Sequence, residues 1–370
     1  MANAPRLSAV LSRLRVDSYI LALLATVAVA SLAPARGGAA VGFGHATTIA
    51  IGFLFFFYGA RLSTRQAVDG LRHWRLHSVV VASTYALFPL LGLAARLLVP
   101  TVLTPELYAG LLFLSFLPST VQSSIVFTST ARGNVAAAIC SASFSNLIGI
   151  VLTPLLVTFF LFHGQGGVSL GSVDHILLQL LVPFVAGQLM RRWIGGFVKR
   201  NKKILGLVDK GSILLVVYSA FSEGVVAGIW HRLTPVSLLL LLAVNVVLLV
   251  IVLVTTAVAA RALGFSRADE ICIVFCGSKK SLASGVPMAT VLFSAQTVGL
   301  IVLPLMLFHQ IQLMVCAWLA RRYAARPVKP EHSELEPQMS AEYVGSRNEN
   351  GCHRAGSSPA TAAGSAPRLT

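Results

Sequence analysis

Charge is what this sequence has least of. Only 11% of its 370 residues are Asp, Glu, Lys or Arg, against roughly 25% in an average soluble domain. Acidic residues are the scarcest, 13 against 29 Lys and Arg. A water-soluble globular domain is therefore excluded. Cysteine is equally sparse: Cys140, Cys272, Cys276 and Cys316 fall inside apolar runs and Cys352 near the end. That spacing fits neither a disulfide framework nor a zinc site, and Cys272 and Cys276, on one helix face, read as packing residues. The chain also lacks a nucleophile–base pair, a metal-ligand cluster and a phosphate-binding loop, so it carries no enzyme signature and no cofactor motif. No small-residue cleavage site follows the first apolar run, which reads as a span rather than a removed signal.

What is present is apolar surface: 56% of residues are hydrophobic and the mean hydropathy is +0.79. Runs such as 18–34, 79–99 and 237–260 are about as long as the roughly 20 residues that cross a hydrocarbon core. With no alternating barrel pattern, such spans must be helical to satisfy their own backbone. Spans at about 18–34, 43–60, 76–99, 105–132, 133–162, 173–193, 210–230, 235–261, 267–294 and 296–320 make an all-α polytopic membrane protein with ten transmembrane helices.

The net charge of +16 would suit a nucleic-acid partner, but its distribution argues for a membrane and against nucleic acid. With ten spans, one side collects Arg6, Arg13, Arg15, Arg61, Arg65, Arg72, Arg75, Arg132, the 191–210 cluster, Arg261, Arg267, Arg321, Arg322, Arg326 and Lys329. The other side collects little beyond Arg36, Arg96 and Arg232. The asymmetry predicts both termini in the cytoplasm of a multi-pass plasma (inner) membrane protein. The organisation expected is a cytoplasmic N-terminus (1–17), a first five-helix repeat (18–162), a second (163–322) and a disordered cytoplasmic tail (323–370). That tail is rich in Pro, Ser, Gly, Ala and Glu and cannot bury a core.

Two spans look interrupted. "TPELYAGLLFLSFLPSTVQSSIVF" begins with a Thr104 cap and Pro105, then meets a polar break from Pro118 to Ser124. "SRADEICIVFCGSKKSLASGVP" opens with Ser266 and Asp269 in capping-box spacing and breaks from Gly277 to Ser284. Interrupted helices in corresponding positions of two halves point to an inverted-repeat secondary transporter. A break in mid-membrane exposes backbone groups that lipid cannot satisfy, so the breaks must face protein or a hydrated cavity. Ser119, Thr120, Gln122, Ser123, Ser124, Ser278, Ser281 and Ser284 are the candidate cavity residues there, with Asn146. Each hydroxyl taken alone reads equally as a patch on its own helix.

Lys279 and Lys280 sit in the second break. An intramembrane cation costs at least about 2.5–3.5 kcal/mol and needs a partner or a wet cavity. Arg outnumbers Lys 22 to 7, so two of seven lysines at mid-membrane is a marked placement. A lysine can lose its proton on desolvation and its ammonium suits a cluster of carbonyls. Glu223 is the carboxylate well inside a span: it either faces the lysines across a cavity or lies near the outer interface with His231 or Arg232. His309 in the last span is a candidate proton carrier or a packing residue.

Several stretches resemble the bile acid:sodium symporter superfamily: "ARGNVAAAICSASFSNLIGIVLTPLL" (131–156), "CGSKKSLASG" (276–285), "FHQIQ" (308–312) and "FFFYGARLS" (55–63). The resemblance spans roughly residues 18–322. It implies two inverted repeats of five helices, a core of spans 3–5 and 8–10 with the broken fourth and ninth crossing, and a panel of spans 1, 2, 6 and 7. It further implies a solute cavity between core and panel, with a small, anionic or amphipathic solute as partner alongside the lipid bilayer. Transporting members hold two sodium ions through a Glu and a Gln in the ninth helix, an Asn in the fourth and hydroxyls in the fifth. The matching positions here carry Phe275, Lys279, Ser124 or Ile125, and Ala138 and Ala142. The chain is thus closer to the family's atypical orphan branch, related to its seventh vertebrate member. What the resemblance implies is a transporter-like protein that is sodium-independent or proton-linked, or a non-transporting membrane regulator of cation or calcium homeostasis on the same fold.

Overall fold

The computed structural model of the protein describes residues 18–61, 73–162, 170–228 and 233–325. The expected N-terminal segment 1–17, nearly all of the tail, His231 and Arg232 lie outside the described residues. Those described are all helical, without strands. In chain order they form α1 (Ser18–Leu32), α2 (Gly38–Arg61), α3 (Trp74–Leu98), α4 (Pro105–Phe116), α5 (Gln122–Thr130), α6 (Val135–Val157), α7 (Leu170–Arg200), α8 (Lys202–Val226), α9 (Pro235–Ala262), α10 (Arg267–Gly277), α11 (Leu282–Leu292) and α12 (Ala295–Ala324).

Six of these elements are long and apolar enough to cross a membrane: α2, α3, α6 with its continuation to Phe162, α8, α9 and α12. α9 shows what solvent they suit. It presents Val236, Leu239, Val247, Val250 and Val254 outward, a large apolar face that water would penalise and hydrocarbon accepts.

Helix starts follow local chemistry. The Thr104 hydroxyl accepts from Leu107 N–H at the head of α4, whose first residue is Pro105. Thr234 and Ser237 form a reciprocal capping box on α9, and Asn134 caps α6 through Ala137 N–H. Ser266 caps α10 by accepting from Asp269 N–H. Each satisfies donors that a helix N-terminus leaves unpaired.

Packing falls into two neighbourhoods joined by α8. α2 packs along α7, and α8 along α1, α2 and α12. α4 packs along α12, which also touches α9 and α11, while α10 touches α3, α5, α6 and α9. In the second neighbourhood lie the two interruptions: the chain leaves helix between Phe116 and Gln122 and again between Gly277 and Leu282. α3 carries a π-helical turn over Ser83–Leu87 followed by Pro89, and that turn lies against α4.

Candidate functional site

A helix that stops inside a protein leaves its last carbonyls without partners, and both interruptions do so in a buried place. At the end of α4, Leu114 O accepts from Leu117 N–H, and Phe116 O accepts from the Thr153 hydroxyl at 2.7 Å. Ser115 O and Leu117 O accept from the Lys280 ammonium at 2.8 and 2.7 Å. Pro118 O accepts from Ser281 N–H at 2.9 Å, and Ser119 O from the Asn146 side chain at 2.7 Å.

The end of α10 is closed from the opposite direction. Val274 O accepts from the Ser278 hydroxyl at 2.6 Å, Phe275 O from the Ser124 hydroxyl at 3.2 Å and Cys276 O from the Ser119 hydroxyl at 2.6 Å. Gly277 O accepts from the Ser83 hydroxyl at 2.8 Å. The two breaks therefore meet and cap each other: hydroxyls of the first hold carbonyls of the second, and Lys280 and Ser281 of the second hold carbonyls of the first.

Other side chains tie the crossing to its surroundings. Asn146 on α6 donates to Ser119 O and Ala142 O and accepts from the Ser284 hydroxyl, so one amide touches both breaks. Ser145 accepts from Ser119 N–H at 3.0 Å. Gln312 on α12 pairs with the Lys280 peptide unit as a strand would, accepting from its N–H and donating to its carbonyl, both at 2.9 Å. Its amide also meets the His309 ring at 2.8 Å.

The two lysines are fully buried and meet opposite surroundings. The Lys280 ammonium donates to Thr84 O, Ser115 O and Leu117 O, with the Phe88 ring centroid 4.2 Å away. The Lys279 ammonium has no hydrogen-bond acceptor. It lies over the Phe127 ring at 4.1 Å and near Phe275 at 5.4 Å, a cation–π arrangement worth about 2 kcal/mol when desolvated. The carbonyl cluster that suits a compact cation surrounds Lys280, one residue beyond the position that the family resemblance singles out.

Among the residues expected from the sequence, Ser119, Thr120, Ser123, Ser124, Asn146, Ser278, Lys279, Lys280, Ser281 and Ser284 come together at the crossing. Thr120 bonds the Ser123 and Ser124 hydroxyls at 2.7 and 3.3 Å. His309 reaches it through Gln312. Gln122 does not join: it is exposed on the first turn of α5. Glu223 is half-buried on α8 and makes no ion pair with either lysine. The residues that sequence reasoning passed over are Gln312, Ser145, Ser83 and the carbonyl of Thr84. A Gln three residues beyond His309 in an apolar helix was the available signal for the first. Three of the positions matched to sodium ligands carry apolar side chains: Phe275 packs with Phe127 and Tyr323, Ala138 lies among Leu76, Val80, Cys272 and Cys276, and Ala142 is buried.

The family model described as the SBF-like CPA transporter family matches residues 17–325. An uncharacterized protein of Pseudomonas aeruginosa is 58% identical over 311 residues, covering 84% of this chain and 93% of its own length. An Escherichia coli protein with the name "Putative symporter YfeH" is 56% identical over 326 residues, 88% of this chain and 96% of its own. Sodium/bile acid cotransporter 7 of Mus musculus is 31% identical over 312 residues, 82% of this chain and 92% of its own.

Proposed function

The chain belongs to the SBF-like CPA transporter family, and from that premise we propose that it is a sodium-independent, proton-linked secondary transporter of a small organic anion or amphipathic solute. In this reading α1 to α12 make ten spans, with α4–α5 and α10–α11 as the broken fourth and ninth. Two inverted repeats of five spans cover 18–162 and 163–322, in the plasma (inner) membrane with both termini cytoplasmic. The names of its relatives, a symporter and a sodium/bile acid cotransporter, support transport of a small-molecule solute.

The observation that carries the proposal is the buried Lys279 ammonium without an acceptor, beside two helix breaks that cap each other. An intramembrane charge in that condition is costly and marks a functional site. If core and panel move between access states, Lys279 gains water or an anionic solute in one state and loses it in the other, which lets it take up and release a proton. Sodium is disfavoured at the same place. Its carboxylate and hydroxyl ligands are replaced by Phe275, Ala138 and Ala142, and an ammonium about 4 Å away would repel it by roughly 4 kcal/mol at an effective dielectric of 20.

The test is uptake into proteoliposomes of labelled cholate and a panel of simpler carboxylates, under sodium and proton gradients imposed separately. Uptake should be indifferent to replacement of sodium by potassium or choline, respond to the pH gradient and vanish in Lys279→Met. Uptake that rises with a sodium gradient at constant pH would overturn the proposal. A non-transporting regulator on the same fold would show no flux under either gradient.

A further inference from the structure

The three carbonyls around Lys280 are free for reasons visible in the chain. In the π-helical turn of α3, Phe88 N–H bonds Ser83 O, and the next residue, Pro89, has no N–H to offer Thr84 O. Ser115 O faces a similar gap: Pro118 lacks an N–H, and Ser119 N–H is turned to the Ser145 hydroxyl. Leu117 follows the last turn of α4, in extended conformation. Two of these oxygens belong to the carbonyl end of a helix, where the aligned peptide dipoles favour positive charge. An ammonium has three N–H donors, and it meets three oxygens at 2.7–2.8 Å.

We propose that the carbonyls of Thr84, Ser115 and Leu117 form a monovalent-cation site that the chain occupies permanently with the Lys280 ammonium, and that this site accepts free ammonium, a primary alkylammonium or potassium once the side chain is removed. Oxygens from α3 and α4 converge on a group carried by the break between α10 and α11, so the resident charge joins three segments. The Phe88 and Tyr85 rings, at 4.2 and 5.8 Å, cover the ammonium. Lys280 is thus a positioning residue, and its role is separate from any transported solute or coupled proton. Its test reads stability rather than flux, so its failure and that of the transport reading are distinguishable.

The experiment uses the full-length protein purified in detergent and follows thermal unfolding in choline chloride, with ammonium, propylammonium, potassium or sodium chloride substituted at constant ionic strength. The unaltered protein should be indifferent to the substitution. Lys280→Ala should melt lower in choline and regain more than half of the lost Tm, saturably, with ammonium or propylammonium and in part with potassium. Lys280→Met, which keeps the stem and lacks the charge, should remain destabilised. Lys280→Met melting at the temperature of the unaltered protein, or Lys280→Ala gaining nothing from any of these cations, would overturn the proposal. Should neither variant accumulate folded, the unaltered protein decides. Under a membrane-permeant amine-acylating ester, followed by peptide mass spectrometry, Lys280 should be the last of the seven lysines to react, behind Lys279. Lys280 reacting as early as Lys279 would sink the idea.

Discussion

Adjacent residues with the same charge have opposite energetic roles in this protein. The Lys280 ammonium is saturated by carbonyls, whereas the Lys279 ammonium has only ring faces. Burial of an ion without hydrogen bonds is unfavourable, and its replacement by an apolar side chain of similar shape is often neutral or stabilising. Lys279→Met should therefore keep or raise the Tm while abolishing solute uptake, a separation that unfolding and flux measurements on one preparation would show. A fall in Tm comparable to that of Lys280→Met would mean that Lys279 is structural. Gln312 permits a second prediction. Its amide is the partner of both the N–H and the C=O of Lys280, and an unmet buried group costs about 1–3 kcal/mol. Gln312→Leu should cost roughly 2–6 kcal/mol for the two groups, with Gln312→Glu intermediate because it keeps one acceptor; unfolding midpoints against denaturant would measure both. The pair of lysines was legible in the sequence as an anomaly, but their division of labour was not. Which of two neighbours in a non-helical break meets the carbonyls depends on where α3 and α4 place them. Pro89 and Pro118 were the local clues, since each withholds an N–H from an upstream carbonyl.

At the scale of elements, the helix interruptions were legible because polar and small residues gather at Pro118–Ser124 and Gly277–Ser284. What the sequence did not disclose is that the breaks satisfy one another. Hydrogen-bond capacity is visible in a Ser or Thr; its partner 151 or 157 residues away, as for Ser124 and Ser119, is not. Glu223 and Gln122 illustrate the converse. Both were singled out for residue type, and neither shares a hydrogen bond with the crossing. The close pairing of α2 and α7 also escaped sequence reading. A Cβ built on Gly187 would overlap the Phe56 carbonyl, and one on Gly59 would overlap the Phe184 carbonyl, so each helix presents a missing side chain to the other's backbone. Small residues at such a contact let helices approach where lipid offers no hydrophobic drive for association. Gly187→Val should therefore separate α2 from α7 and prevent stable accumulation, whereas Gly196→Val, where a Cβ meets nothing within 4 Å, should be tolerated. Monodispersity by size-exclusion chromatography in detergent would compare them.

For the whole molecule, the distribution of charge sets the remaining prediction. Both ion pairs among the described residues, Arg61 with Asp209 and Arg261 with Glu270, join helix ends on the Arg- and Lys-rich side. Glu270 there also accepts from the Tyr323 hydroxyl, and the Asn134 amide donates to Asp269. Asp209, Asp269 and Glu270 thus tie neighbouring helices together close to a concentration of basic residues. Basic residues resist translocation, so this side should be cytoplasmic. Cys352 follows the last of the expected spans in the sequence and can report the orientation directly. Cys272, Cys276 and Cys316 are buried and Cys140 is half-buried, so they contribute little background to labelling in water. In intact cells a membrane-impermeant maleimide should leave Cys352 unmodified, and in inverted vesicles it should modify it, with Cys352→Ser as the blank. Labelling from outside would reverse the orientation or change the number of spans. The pairing of the α4–α5 and α10–α11 breaks as inverted counterparts would then be lost, because an even number of spans between the termini and an odd number in each repeat are what place the two breaks at the same depth from opposite faces.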